Sequence, residues 1–103
     1  NRKDLAWFDE EGKEMTEEKW GDSNRQLLSM YVEASANRGL LVLFNSSHEG
    51  VIFTLPDEKW GEQFRSIFDS GETVATYEPR IQKSKTETLV KDHCIQVWLV
   101  TRA

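Results

Sequence analysis

A chain of 103 residues fits one domain, and a domain of that size buries roughly 60–65% of the surface its unfolded chain exposes, enough for one core of modest margin. With 38% hydrophobic and 30% charged residues, the composition is globular and not that of a disordered chain. The formal charge is −5, and the acids Asp9, Glu10, Glu11, Glu14, Glu17 and Glu18 crowd the first third. The one basic-leaning tract, Arg80, Lys83, Lys85 and Lys91, is diluted by Glu87 and Asp92, so the pattern argues against a phosphate-backbone partner. The apolar run Leu40 to Phe44 is too short to span a bilayer, and no basic segment followed by an apolar one opens the sequence. No membrane partner and a cytoplasmic location are the expectations. Cys94 is the single cysteine and excludes an intrachain disulfide; within its apolar run it reads as a buried, inert thiol.

In chain order, Leu5 to Phe8 is a short apolar segment closed by Asp9-Glu10-Glu11-Gly12, whose glycine suits a tight turn. Thr16 is placed to cap a turn or two of helix ending near Trp20, before Gly21-Asp22-Ser23-Asn24. The remainder has period two. Leu28, Met30 and Val32 alternate with Leu27, Ser29 and Tyr31, a strand with one buried face. Leu40 to Phe44 is apolar on both faces and therefore predicts a central strand covered on each side. Asn45 to Gly50 is a turn rich in side chains that bond to their own backbone. Val51, Phe53 and Leu55 mark one face of the next strand, stopped by Pro56. Phe64, Ser66 and Phe68 alternate with Arg65 and Ile67 up to Asp69. Thr73 to Tyr77 predicts a short strand, Pro79 to Lys85 a loop, and Thr86 to Val90 and Cys94 to Val100 the last two strands. Seven or eight short strands in one domain over residues 1–103 predict an all-β sandwich or barrel, with a short helical turn near the N-terminus.

No catalytic constellation assembles from these pieces. The two histidines, His48 and His93, lie in polar turns, away from any strand-to-helix elbow that would present a nucleophile. One Cys and two distant His offer no dense metal-ligand set, and the acidic turn Asp9 to Glu11 lacks the pattern of a calcium loop, so it reads as solvated charge. Phosphate-cradling Gly-rich loops are absent, and no cofactor is implied. Asp69, at the end of an apolar strand, is the one acid placed for glycosidic chemistry, which needs a pair.

Two stretches carry a resemblance. Asp4-Leu5-Ala6-Trp7-Phe8, Gly12, and Glu14-Met15-Thr16-Glu17-Glu18-Lys19-Trp20 with Asp22 form the first. Leu40 through Glu49, containing Asn45-Ser46-Ser47-His48-Glu49, followed by Val51-Ile52-Phe53-Thr54-Leu55-Pro56, form the second. Together, and with Trp60 and Phe68-Asp69, they resemble the C-terminal domain of bacterial glycogen debranching enzymes, in the isoamylase-like branch of the α-amylase superfamily. The resemblance implies an eight-stranded Greek-key β-sandwich that follows a catalytic (β/α)-barrel, with the active carboxylates in that barrel. It implies a non-catalytic domain that packs on and stabilises the barrel of an enzyme cleaving α-1,6 branch linkages. The alternatives are a glucan-binding module using exposed Trp, and the C-terminal domain of a related trehalose-forming or branching enzyme.

Within that frame the four tryptophans have two readings, packing and contact with sugar faces. Trp7 and Trp20 are read as a clasp for the N-terminal segment. Trp60 and Trp98 are the candidates for glucan contact or interdomain packing. On the last strand Ile95, Val97 and Leu99 are read as pointing inward, which leaves Cys94, Gln96, Trp98 and Val100 for the face that meets the barrel. Asn45 is read as folding its side chain onto the turn that follows. His48 is read as structural, donating from its ring to a carbonyl or an acid.

Overall fold

A computed structural model describes residues 4–73 and 78–102. The described strands are β1 (Leu5–Phe8), β2 (Leu27–Ser35), β3 (Arg38–Asn45), β4 (Val51–Thr54), β5 (Gln63–Asp69), β6 (Ile81–Lys83), β7 (Glu87–Val90) and β8 (Cys94–Thr101). One short helix, α1 (Glu17–Trp20), joins β1 to β2. The strands form a six-stranded antiparallel sheet in the order β1-β2-β3-β8-β5-β6, faced by the two-stranded pair β4-β7. This is the all-β, sandwich-like fold with a single short helix that the alternation predicts. One assignment differs. The segment read as a loop contains β6, paired through Gln63↔Lys83 and Arg65↔Ile81. Of the strand predicted over Thr73 to Tyr77, Thr73 is not in a strand, and 74–77 lie outside the described residues.

The core lies between the two sheets. Phe8, Tyr31, Leu41, Leu43, Phe64, Trp98 and Val100 project from the large sheet onto Phe53 and Val90 of the small one, with Leu55 and Trp60 closing the ends. Trp60 packs edge-on between Phe8 and Tyr31, with ring centroids 5.1 and 5.3 Å away, the geometry aromatic quadrupoles favour. The Tyr31 ring passes directly over Gly39: a β-carbon there would lie 2.5 Å from the phenolic oxygen. Beyond that crossing, Tyr31 donates its hydroxyl to Glu33 and accepts from Arg102, which also pairs with Glu33 at 2.7 Å. Burial and the bond to Glu33 raise the Tyr31 pKa, and the Arg102 charge only partly offsets them.

The acidic turn after β1 is a structural joint, not the solvated charge its sequence suggests. Asp9 is 1% exposed. Its Oδ1 accepts from the backbone N–H of Glu11 (2.9 Å) and Lys13 (3.0 Å), and its Oδ2 pairs with the Lys19 ammonium at the end of α1. Gly12 holds φ +79° with Thr54 O only 2.8 Å from where a β-carbon would sit, and Thr54 N donates to Glu10 O. The turn therefore fastens the edge of the large sheet to β4, while Thr16 caps α1 by accepting from Lys19 N.

Burial works against ionising Asp9, but Lys19 and the two backbone donors outweigh it and hold the carboxyl below its ordinary value of 3.8. A depressed carboxylate pKa contributes stability above the unfolded value and loses it as pH falls through the folded one. Asp9→Asn, which keeps an acceptor and removes the charge, should therefore lower the unfolding free energy by about 1–2 kcal/mol at neutral pH. That deficit should narrow below about pH 4. Urea denaturation at pH 7 and pH 3 checks it, and an equal deficit at both would refute the charged role.

Candidate functional site

The tryptophans divide into three settings. Trp98 is fully buried; its indole N–H donates to Gln96 Oε1 at 3.1 Å and the Arg80 guanidinium lies over its ring. Trp60 is 4% exposed. Neither ring is available to a sugar or a neighbouring domain, which corrects their reading as contact residues. The cause is the period-two alternation of β8: Gln96, Trp98 and Val100 face the core, and Ile95, Val97 and Leu99 face out, the reverse of the sequence reading. Trp7 and Trp20 meet edge-to-face with centroids 5.6 Å apart, and Trp20 remains 52% exposed. It stands over an open groove of about 420 Å³ lined by Asp22, Arg25, Gln26, Leu28 and Phe44 among others.

Asn45 holds two turns together. Its Oδ1 accepts from the N–H and hydroxyl of Ser47 (2.9 and 2.6 Å), and its Nδ2 faces three carbonyls, Glu49 O, Val90 O and Lys91 O, at 2.9–3.2 Å. The local turn is what the residue type implies; the reach to β7 is not, because nothing in the spacing shows that those carbonyls converge on it. That cross-link brings His48 Nδ1 within 3.2 Å of His93 Nε2, so the ring partner of His48 is the other histidine. His93 itself sits at φ 51° with its N–H donating to Ser47 O.

Asp69 is committed to structure. Its Oδ1 accepts from Gly71 N and its Oδ2 from Gln96 Nε2 at 3.0 Å. Gln96 completes its own bonds with Leu89 O, Thr88 and Trp98, a closed buried network spanning both sheets. Among the described residues, no group of three or more His, Cys, Asp or Glu could hold a metal ion. Cys94 is half-buried at the start of β8 rather than buried.

The most distinctive surface is the outer face of the large sheet. Cross-strand register sets Leu5, Val32, Leu40 and Leu99 in one row, and Trp7, Met30, Val42 and Val97 in the next. Leu28, Phe44 and Ile95 form a third. A bulge in β5 between Ser66 and Phe68 turns both Ile67 and Phe68 outward, 45% and 52% exposed. A solvated sheet face alternates to polar residues; this one stays apolar across four adjacent strands. A contiguous exposed apolar face marks an interaction surface.

The family model described as Isoamylase, C-terminal matches residues 4–103. The chain belongs to that family. No curated protein matches it. Isoamylase C-terminal domains are non-catalytic accessory modules and generally pack against a catalytic (β/α)-barrel of the same chain. For this isoamylase C-terminal domain, the Asn45 cross-link yields a direct test. Asn45→Asp is nearly isosteric but replaces a donor among three carbonyls by an acceptor, so it should cost more than Asn45→Ala, for which about 2–3 kcal/mol is expected. Chemical denaturation of the two variants checks the order; equal or reversed costs would remove the donor role.

Proposed function

We propose that this chain docks on the catalytic barrel of an isoamylase-like enzyme that hydrolyses α-1,6 branch linkages in glycogen-like glucans, and that it stabilises that barrel. The outer face of the six-stranded sheet supports this reading most strongly. Leu40 and Val97, at neighbouring rows near its centre, stay partly exposed in the domain, although β3 and β8 are the middle strands of the sheet. Interfaces between domains of one chain commonly bury about 600–1,500 Å². At roughly 25 cal/mol per Å² of apolar area, covering even part of this face favours docking by several kcal/mol before ordering and desolvation costs. The docking face is thus the Val97 side of β8, and the Trp98 side is the domain's own core.

Glucan contact is the second reading, and it rests on Trp20. The exposed indole beside Asp22, Arg25 and Gln26 combines a stacking face with hydrogen-bonding groups. Its groove shares Leu28 and Phe44 with the docking face, so a docked barrel would also border it. Tryptophan emission of the isolated domain should stay constant on addition of maltooligosaccharides at millimolar concentration if docking is the role of this corner.

A thiol reporter tests the docking itself. Leu40→Cys in a Cys94→Ser background should react rapidly with a maleimide in the isolated domain. The same thiol should be protected by about a hundredfold or more in the full-length enzyme, if the interface opens with a free energy of several kcal/mol. Equal labelling rates in the two settings would place the barrel elsewhere.

A further inference from the structure

The outer face carries a charge pattern opposite to that of the chain. The protein is acidic overall, at −5. Yet the side chains that the register turns outward from the large sheet include no Asp or Glu among the described residues; the charged ones are Arg38, Arg65 and Lys83. Arg65 is the informative member. It stands in one cross-strand row between Leu99 and Ile81, and no carboxylate pairs with it among the described residues. Arg38 and Lys83 lie one row further out, beside Thr101 and Gln63.

A guanidinium stays ionised at any relevant pH, so covering this row with an apolar surface would bury an unpaired charge, which is strongly destabilising. We propose, resting on the docking reading above, that the covering surface of the barrel presents a carboxylate to Arg65, an Asp or Glu that pairs with it as the interface closes. The planar fork of Arg matches a carboxylate through two parallel hydrogen bonds, which fixes orientation as well as charge. Arg38 and Lys83, nearer the rim, favour an acidic border on the same partner and contribute selectivity more than affinity. The partner surface is therefore apolar opposite Leu40, Val97 and Leu99, and acidic toward β5 and β6.

The full-length enzyme carrying the Leu40→Cys reporter tests this. Arg65→Glu sets two like charges against each other and should speed labelling on the order of a hundredfold, whereas Arg65→Lys, which keeps the charge and loses the fork, should speed it about tenfold. Arg65 is exposed in the isolated domain, so neither change should move that domain's own unfolding midpoint. Replacing the opposed barrel acid by Arg should restore protection to the Arg65→Glu enzyme. Unchanged protection in Arg65→Glu would overturn the pairing while leaving docking intact, with the Arg65 head group reaching past the rim into water. Rapid labelling with Arg65 in place would instead overturn docking, and the pairing with it.

Discussion

A large sheet with apolar side chains on both faces can have only one of them covered by a two-stranded partner, and the rest of this molecule follows from which one. The covered side takes the bulky rings: Phe8, Tyr31, Phe64 and Trp98 fill the space over Phe53. The other side takes mainly aliphatic residues, including Leu40, Val42, Val97 and Leu99, with the rings of Trp7, Phe44 and Phe68 around them. Rings fill a gap that only two short strands span, because each one brings volume without lengthening the backbone. Contiguous apolar rows on a broad sheet leave a surface that a second domain can meet.

So shallow a sandwich needs fastening, and it is fastened by polar groups, not by more apolar area. Asp9 ties the β1 edge to α1, and its turn meets β4. Asn45 ties the β3 end to the β7–β8 turn, and Gln96 ties β8 and β5 to β7. Each of these side chains is buried, and each has donors or acceptors spanning separate segments. A closed network of this kind adds modestly to stability but penalises any other register, because a one-residue slip of β8 would send Gln96 and Trp98 outward together and strand Asp69, Thr88 and the Leu89 carbonyl. The register that turns Val97 and Leu99 outward is therefore enforced from within the core.

Element types and most boundaries were legible in the sequence because period two, Gly12, Thr16 and Pro56 each have a local physical meaning. The sidedness of β8 was not. Ile95, Val97 and Leu99 are more uniformly apolar than Cys94, Gln96, Trp98 and Val100, so hydrophobicity alone assigns them inward. The deciding facts are long-range: Gln96 finds four partners on β5, β7 and β8. Asp9 was misread for the same reason, since Lys19 and the backbone donors that make its burial tolerable are not visible as partners in a run of acids. The meeting of His48 with His93 likewise depends on two turns far apart in the chain. Sequence motifs pointed to the family; only the register pointed to the face.

Sidedness also accounts for the placement of charge. An acidic chain gains solubility from self-repulsion, and nearly every carboxylate lies on edges, turns or the inner rim. Where Glu33 lies beside the core, Arg102 neutralises it at 2.7 Å, so that acid does not spill onto the outer face. An isolated domain with an apolar face is exposed to edge-to-edge and face-to-face association, and a face free of carboxylates meets a second copy of itself without attraction between Arg65, Lys83 and any opposite charge. Self-pairing would set Arg65 against its own copy or against the apolar rows, in either case without an opposite charge. The arrangement that would suit the acidic partner proposed above therefore also disfavours the homodimer, through Arg65 in one row and Arg38 and Lys83 in the next.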